Sequence, residues 1–188
     1  RNGYIISLLE KEFRQLGFIL KVQVTGNDYS LERQYLLESE SSDCLGIIIE
    51  PCYSAYMTPN ADIFDRLYSE NLPVLFINGI YSNINNFPIV KDDNISAGYM
   101  AGEYLIHNCH KRISVLLQSD TISGQEKLMG LYNSINNSPI IPIMPPTIKA
   151  IINDDHNTLC TITAFGYTAS VYILITLNII SITNHNGK

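Results

Sequence analysis

The sequence predicts an α/β protein in which helices cover a doubly wound parallel sheet. Short apolar runs rich in β-branched residues, such as 45–49 and 74–77, are bounded by turn residues and are typical of buried strands. Between these runs, apolar residues recur at helical spacing, and the connections are short. Strands and helices therefore alternate, as expected of a sheet whose strands run parallel.

The first half of the chain contains most of these elements. Apolar residues at helical spacing predict a first helix that ends at Gly17, because glycine readily adopts the left-handed conformation that ends a helix. The predicted elements that follow are a strand at 20–24, a helix at 31–40, a strand at 45–49, a helix at 61–69 and a strand at 74–77. The alternation of helix and strand is unbroken over this part of the chain.

The stretch 71–117 is the most regular part of the sequence. Its predicted elements are strands at 74–77 and 88–90, a helix at 93–109 and a strand at 113–117. Asp92 and Asp93 fall between a strand and a helix, where the helix N-terminus favours negative charge. Ligands of parallel sheets gather at the carboxyl ends of the strands, so these two residues are candidates for a binding site.

Charge and cysteine content narrow the class of protein. The 188 residues carry a formal charge of −6, which argues against direct binding of these residues to the phosphates of a nucleic acid. The four cysteines show no paired spacing, and the sequence contains neither a signal peptide nor a long apolar span. We therefore expect a reduced, cytoplasmic protein without a membrane partner. Because the first residue is Arg, we expect it to be part of a longer chain.

No local motif indicates catalysis, a cofactor or a metal. The sequence contains no GxSxG, HExxH, phosphate-loop or GxGxxG pattern. His107 and His110 lie three residues apart, but a zinc site requires three or four ligands, and their position favours interaction with a helix C-terminus. We expect a protein that is not an enzyme and that needs neither cofactor nor metal.

Six segments of the sequence resemble the effector-binding module of the lac/galactose repressor family and occur in the same order as in that family. Within the family, they are most similar to the arabinose repressors. They are GIIIEP at 46–51, SAYMTPN at 54–60, LPVLFIN at 72–78, VKDD at 90–93, the His-Lys-Arg-Ile step at 110–113 and SDTISG at 119–124. The resemblance covers about residues 4–135.

The resemblance implies a periplasmic-binding-protein-like fold with two doubly wound parallel-sheet lobes. Residues 1–111 and 171–188 are expected to form the first lobe, and residues 112–170 the second. Compared with the second lobe of the family, this one is incomplete, because too few residues lie between Asp154 and Gly166 to form the helix expected there. Either this lobe is reduced, or the given residues are segments joined across others. No DNA-binding headpiece is recognised in the sequence.

The resemblance also implies the function. It identifies the chain as the effector-binding and dimerisation portion of a sugar-responsive transcriptional repressor, with L-arabinose or a related pentose as the effector. A homodimer is expected through the helix that carries Tyr99, Met100 and Tyr104, and operator DNA is expected to be bound only through a headpiece outside this chain. The first alternative is a transport-type sugar-binding protein of the same fold, and the second is an enzyme of open α/β architecture, since the fold alone does not fix the function.

Four candidate effector contacts lie in the first half of the chain. Asp93 matches a family effector contact, and its position is equally that of a helix N-cap. Glu50, Tyr53 and Ser54 follow the strand at 45–49, in the position from which arabinose repressors reach the sugar. Tyr53 is either a ring that stacks on the sugar or a surface aromatic residue.

The remaining candidates lie in the second half. Ser123 and Lys127 match effector-contacting positions, although Lys127 stands where relatives have an arginine and cannot form the same planar fork. Lys127 is otherwise a solvated helix charge. Asn153 and Asp154 match an Asn-Asp pair at the end of a strand and are either ligand contacts or a plain turn. Thr168 replaces an acidic contact of relatives.

Overall fold

The computed structural model describes residues 2–110, 113–137, 147–151, 159–163 and 179–184. Helices and strands alternate from residue 2 to residue 77. The helices are α1 (Asn2–Gln15), α2 (Tyr29–Glu40), α3 (Ala61–Ser69), α4 (Asn94–His107) and α5 (Ile122–Asn137). The strands are β1 (Phe18–Gln23), β2 (Cys44–Ile49), β3 (Val74–Ile77), β4 (Ile89–Val90), β5 (Ser114–Gln118), β6 (Thr147–Ile151), β7 (Leu159–Thr163) and β8 (Ile179–Asn184). The elements predicted up to residue 118 are confirmed, with ends that differ by a few residues.

The chain divides into two compact units. The first comprises Arg1–Lys91 and Ile175–Lys188, and the second comprises Asp92–Leu174. The sequence predicts the first boundary at 111, whereas the structure divides the chain before α4. The reason is that α4 packs along α5 and so belongs with the second unit.

The first unit contains a mixed five-stranded sheet in the order β1-β8-β2-β3-β4. Strands β2, β3 and β4 run parallel, as predicted, with Ile48 beside Leu75 and Phe76 beside Ile89. Strand β8 differs from the predicted parallel arrangement, because it pairs antiparallel with both β1 and β2. The alternation of helix and strand predicts parallel pairing only for strands joined by a crossover helix, and β8 enters the sheet from the far end of the chain.

The core of the first unit lies between this sheet and α2 and α3. Phe64 of α3 packs against Phe76 of β3, with ring centroids 5.5 Å apart, and both rings are fully buried. On the outer side, Arg33 of α2 forms a bidentate ion pair with Asp62 of α3, with both N–O distances at 2.8 Å. These contacts hold α3 against β3 and against α2.

The second unit contains a three-stranded sheet in the order β5-β7-β6. The sequence predicts parallel strands here, but both strand pairs are antiparallel. The connection 152–158 between β6 and β7 is shorter than the dozen or so residues that a parallel crossover needs. The short connection therefore explains why β6 and β7 pair antiparallel instead of parallel.

Helices α4 and α5 approach each other through glycines. A Cβ atom added at Gly98 would overlap the carbonyl oxygen of Lys127, and one added at Gly130 would overlap the carbonyl oxygen of Ile95. The absence of a side chain at these positions is therefore what allows the backbones to pack so closely.

Helix α4 ends in a Schellman motif. Cys109 adopts a left-handed backbone with φ of 61°, whereas Asn108 has φ of −84°. The backbone N–H of Cys109 donates to the carbonyl of Ile106, and that of His110 donates to the carbonyl of Leu105. The left-handed residue at the end of this helix is therefore Cys109.

No helix in the described ranges is long and apolar enough to cross a membrane.

Candidate functional site

The carboxyl ends of β2 and β3 carry a hydrogen-bonded pair of polar side chains, of which Glu50 is buried and Asn78 partly buried. Glu50 directly follows β2, is 5% exposed, and accepts a 2.8 Å hydrogen bond at Oε1 from Nδ2 of Asn78, which directly follows β3. The backbone N–H of Asn78 donates to the carbonyl of Val90 at the end of β4. Three adjacent parallel strands are thereby joined at the edge where ligands of such sheets bind. Asn78 was not identified from the sequence, although, like Glu50, it directly follows a predicted strand.

Tyr53 lies in the loop that follows Glu50 and has a left-handed backbone with φ of 41°. This conformation costs a non-glycine residue about 1–2 kcal/mol. The ring of Tyr53 packs edge-on against Tyr29, with centroids 5.7 Å apart, and is half-buried. Ser54 is buried beside it in the chain. Tyr53 is therefore partly buried against Tyr29, and stacking on a sugar stays a prediction.

A buried polar network behind this loop is centred on Glu32 of α2. The Glu32 carboxyl accepts hydrogen bonds from the Tyr81 hydroxyl, from Nδ2 of Asn60 at 3.1 Å and from the backbone N–H of Cys52 at 3.3 Å. Glu32, Tyr81 and Cys52 are fully buried, and Asn60 is 3% exposed. The sequence gives no sign of this network, because an acid in the first turn of a helix is normally a surface residue that complements the helix dipole.

Burial shifts the pKa values of the ionisable groups in this network. It raises the pKa of Glu32, while hydrogen bonds from Tyr81 and Asn60 oppose the shift in part. Burial, together with the nearby Glu32 charge, raises the pKa of Cys52 to about 12. Since the thiolate is the reactive form of cysteine, Cys52 is inert at neutral pH, and its thiol hydrogen-bonds to the Thr25 hydroxyl at 3.3 Å.

Asp93 is the N-cap of α4 in the second unit. Its Oδ1 accepts a 3.0 Å hydrogen bond from the backbone N–H of Ser96. The capping role proposed from the sequence is therefore confirmed. Asp93 is exposed, so its carboxyl group is also accessible to a ligand, and the effector contact stays a prediction.

Ser123 and Lys127 of α5 lie together against the start of α4. The Ser123 hydroxyl donates to Oδ1 of the buried Asn94 at 3.1 Å, and Nζ of Lys127 donates to the Ser123 oxygen at 3.2 Å. Nδ2 of Asn94 donates to Glu126 at 3.0 Å. Lys127 is half-buried and hydrogen-bonded, so it is not simply a solvated charge. Asn94, which follows Asp93, was not identified from the sequence.

The predicted contacts thus form two groups. Glu50, Tyr53 and Ser54 belong to the first unit, whereas Asp93, Ser123 and Lys127 belong to the second. Asn153, Asp154 and Thr168 lie outside the described residues. In the part of the chain that the structure describes, no three His, Cys, Asp or Glu side chains are grouped to hold a metal ion.

Comparison with known proteins relates this geometry to a family. The model of periplasmic binding proteins and sugar-binding domains of the LacI family matches residues 4–138. The arabinose metabolism transcriptional repressor of Geobacillus stearothermophilus is 31% identical over 131 residues, which are 70% of this chain and 36% of that protein. The repressor of the same name from Halalkalibacterium halodurans is 26% identical over 130 residues, which are 69% of this chain and 34% of that protein. The chain therefore spans about a third of the length of these curated relatives.

A solved structure has the same fold. The crystal structure of a candidate ribose operon repressor from Burkholderia thailandensis superposes with a TM-score of 0.59 at 23% identity. The match covers 70% of this chain and 48% of that one. At this level of identity the superposition supports the fold alone and does not indicate the ligand.

Proposed function

Since the chain belongs to the family of periplasmic binding proteins and sugar-binding domains of the LacI family, we propose that it is the effector-binding and dimerisation portion of a sugar-responsive transcriptional repressor. The family membership confirms the resemblance read from the sequence and the periplasmic-binding-protein-like α/β fold. The named relatives are regulators, which supports a non-enzymatic role at the level of the family.

The hydrogen-bonded pair of Glu50 and Asn78 is the observation that carries the proposal. Sugar hydroxyls are recognised by planar groups that accept or donate two hydrogen bonds, such as carboxylates and amides, in concave and pre-formed sites. Glu50 and Asn78 supply one of each at the ends of neighbouring strands, and the bond between them pre-orients both. Tyr53 adds an aromatic ring three residues after Glu50, of the kind that packs on the C–H face of a sugar.

L-arabinose is the effector that we propose. The support comes from the two relatives that are named arabinose metabolism repressors and from the segments shared with that group. In the second unit, Asp93, Ser123 and Lys127 are the proposed contacts, together with Asn153, Asp154 and Thr168. A carboxylate such as Asp93 can accept hydrogen bonds from two adjacent hydroxyls.

Calorimetric titration of the 188-residue chain with L-arabinose tests the proposal. D-ribose, D-xylose and D-galactose serve as comparison sugars. We expect saturable binding of L-arabinose that is tighter than that of the other three. Tighter binding of another sugar would replace the effector but keep the function, whereas no binding of any sugar, or turnover of a sugar to product, would contradict the function.

A homodimer and an indirect link to DNA belong to the same proposal. Met100 and Tyr104 lie one turn apart on α4 and are 67% and 69% exposed, which suits an interface with a second copy. The formal charge of −6 suits a protein that reaches operator DNA through other residues, and a cytoplasmic location follows from that role. Light scattering is expected to show a dimer. A monomer that binds sugar would favour the transport-type alternative.

A further inference from the structure

The Glu32 carboxyl is a shared hydrogen-bond acceptor for two loops that lead away from the sheet. Its Oε2 accepts from the backbone N–H of Cys52, at the start of the loop after β2, and from the hydroxyl of Tyr81, in the segment after β3. Its Oε1 accepts from Nδ2 of Asn60, at the end of the loop after β2. One side chain thereby holds the first of these loops at both ends and joins it to the second.

We propose that Glu32 is a positioning residue for the sugar site, which keeps Glu50, Tyr53 and Asn78 in their binding geometry without contacting the sugar. This inference rests on the proposed function. Glu32 is fully buried under the loops, whereas the three residues that it positions lie in the loops or at their starts.

Two of the positioned residues have backbones that need such support. Tyr53 and Asn78 have φ of 41° and 64°, a region that residues with a side chain rarely adopt. Conformations of this kind persist only where the surrounding structure determines them, and they are common at binding sites. The hydrogen bond from the Cys52 N–H to Glu32 immediately precedes Tyr53 and so restrains the backbone at the strained position.

The donors around Glu32 require a carboxylate rather than any polar group. All three donors point at its two oxygens, and a glutamine side chain would place an amide N–H where one oxygen now accepts. At least one donor would then lose its partner, and a buried donor without a partner destabilises its local structure. Burial raises the pKa of Glu32, and the hydrogen bonds from these donors oppose that shift in part because they favour the charged carboxylate.

The test compares Glu32→Gln with Glu38→Gln, a control on the same helix whose side chain is exposed. Tyr81→Phe, with the exposed Tyr68→Phe as its control, removes one donor without changing the acceptor. Val74→Ala, a core variant at the amino end of β3, reports the effect of lost stability alone. Hydrogen exchange of the segments 50–60 and 78–88 and calorimetry with L-arabinose are measured well below the unfolding temperature of each variant.

We expect Glu32→Gln and Tyr81→Phe to speed exchange in these two segments and to weaken L-arabinose binding by about tenfold or more, while the controls behave as wild type. Unchanged exchange in Glu32→Gln would overturn the inference, and so would an affinity loss matched by Val74→Ala. Faster exchange with unchanged affinity would also overturn it. If the wild-type protein binds no sugar, the proposed function is contradicted. The exchange data then still show whether Glu32 anchors the two loops.

Discussion

The side-chain amide of Asn78 donates a 2.8 Å hydrogen bond to Oε1 of Glu50 and so joins the carboxyl ends of two adjacent parallel strands. Glu50→Gln keeps an oxygen for this bond but removes the charge that strengthens hydrogen bonds to sugar hydroxyls. We expect L-arabinose binding to weaken by about 1.5 kcal/mol, roughly tenfold. Calorimetry measures this loss, and Glu70→Gln, an exposed residue at the end of α3, is the control. Equal affinity of Glu50→Gln and wild type would remove Glu50 from the site.

Asp93 has two roles that substitution can separate. Its carboxyl caps α4 through Ser96, and in the proposed site it also contacts the sugar. Asp93→Ala should lose about 1 kcal/mol of unfolding free energy and about 2 kcal/mol of binding free energy. Asp93→Asn should keep the cap, because asparagine caps helices as well as aspartate does, yet still bind less tightly. If Asp93→Ala binds L-arabinose as wild type does, Asp93 is a cap only.

Replacing Cys109 by glycine should stabilise the protein. Cys109 has φ of 61°, where glycine avoids the steric cost of a Cβ atom. We expect the free energy of unfolding by urea to increase by about 1 kcal/mol in Cys109→Gly. Asn108→Gly is the matched control, since Asn108 has φ of −84° and gains nothing from glycine. Stabilisation by the control and not by Cys109→Gly would show that the left-handed residue is misassigned.

The close packing of α4 on α5 predicts opposite effects for two glycine-to-alanine changes. In Gly98→Ala the new methyl group would overlap the Lys127 backbone, so we expect a loss of about 1–3 kcal/mol in unfolding free energy. Gly3→Ala, in α1, places its methyl group in open space and should be neutral or stabilising by up to about 1 kcal/mol. Chemical denaturation compares the two. A neutral Gly98→Ala would contradict the close approach of these helices.

The buried Glu32 should make stability depend on pH. Burial raises its folded-state pKa above the ordinary value of 4.5, so ionisation costs more in the folded protein than in the unfolded chain. Its contribution is fully present below the unfolded pKa and is lost as pH rises through the folded pKa. We therefore expect wild type to lose stability relative to Glu32→Gln as the pH rises from the ordinary value of 4.5 towards neutral pH. Urea unfolding across this range measures the difference.

Glu38 provides the contrast for that experiment. Hydrogen bonds from Gln34, Gln23 and Lys21 lower its pKa, so its contribution is present above the unfolded pKa and is lost as pH falls through the folded pKa. Wild type should therefore gain stability relative to Glu38→Gln as pH rises, the opposite sign to Glu32→Gln. The same sign for both variants would contradict the assigned environments.

Local patterns determined much of the fold and predicted candidate residues for the site. Apolar runs and helical spacing identified the elements up to residue 118, because both report which face of a segment is buried. Gly17 marked the end of α1, and its φ of 83° agrees with the cap expected there. The rule that ligands bind at strand ends made Asp93 a candidate contact, and the resemblance made Glu50 one. The shared segments predicted the family, which the family model confirms.

Only the tertiary structure decided which distant residues meet. The bonds from Tyr81 and Asn60 to Glu32 span 49 and 28 residues of sequence, and no local pattern distinguishes a buried glutamate from an exposed one on the same helix. The antiparallel position of β8 is likewise set by pairing with strands far away in the chain. Periodicity in the sequence shows which face of a segment is buried, but not which distant residues it contacts. Those contacts depend on the packing of the whole fold, because a buried polar group needs a hydrogen-bond partner and that partner can come from any part of the chain.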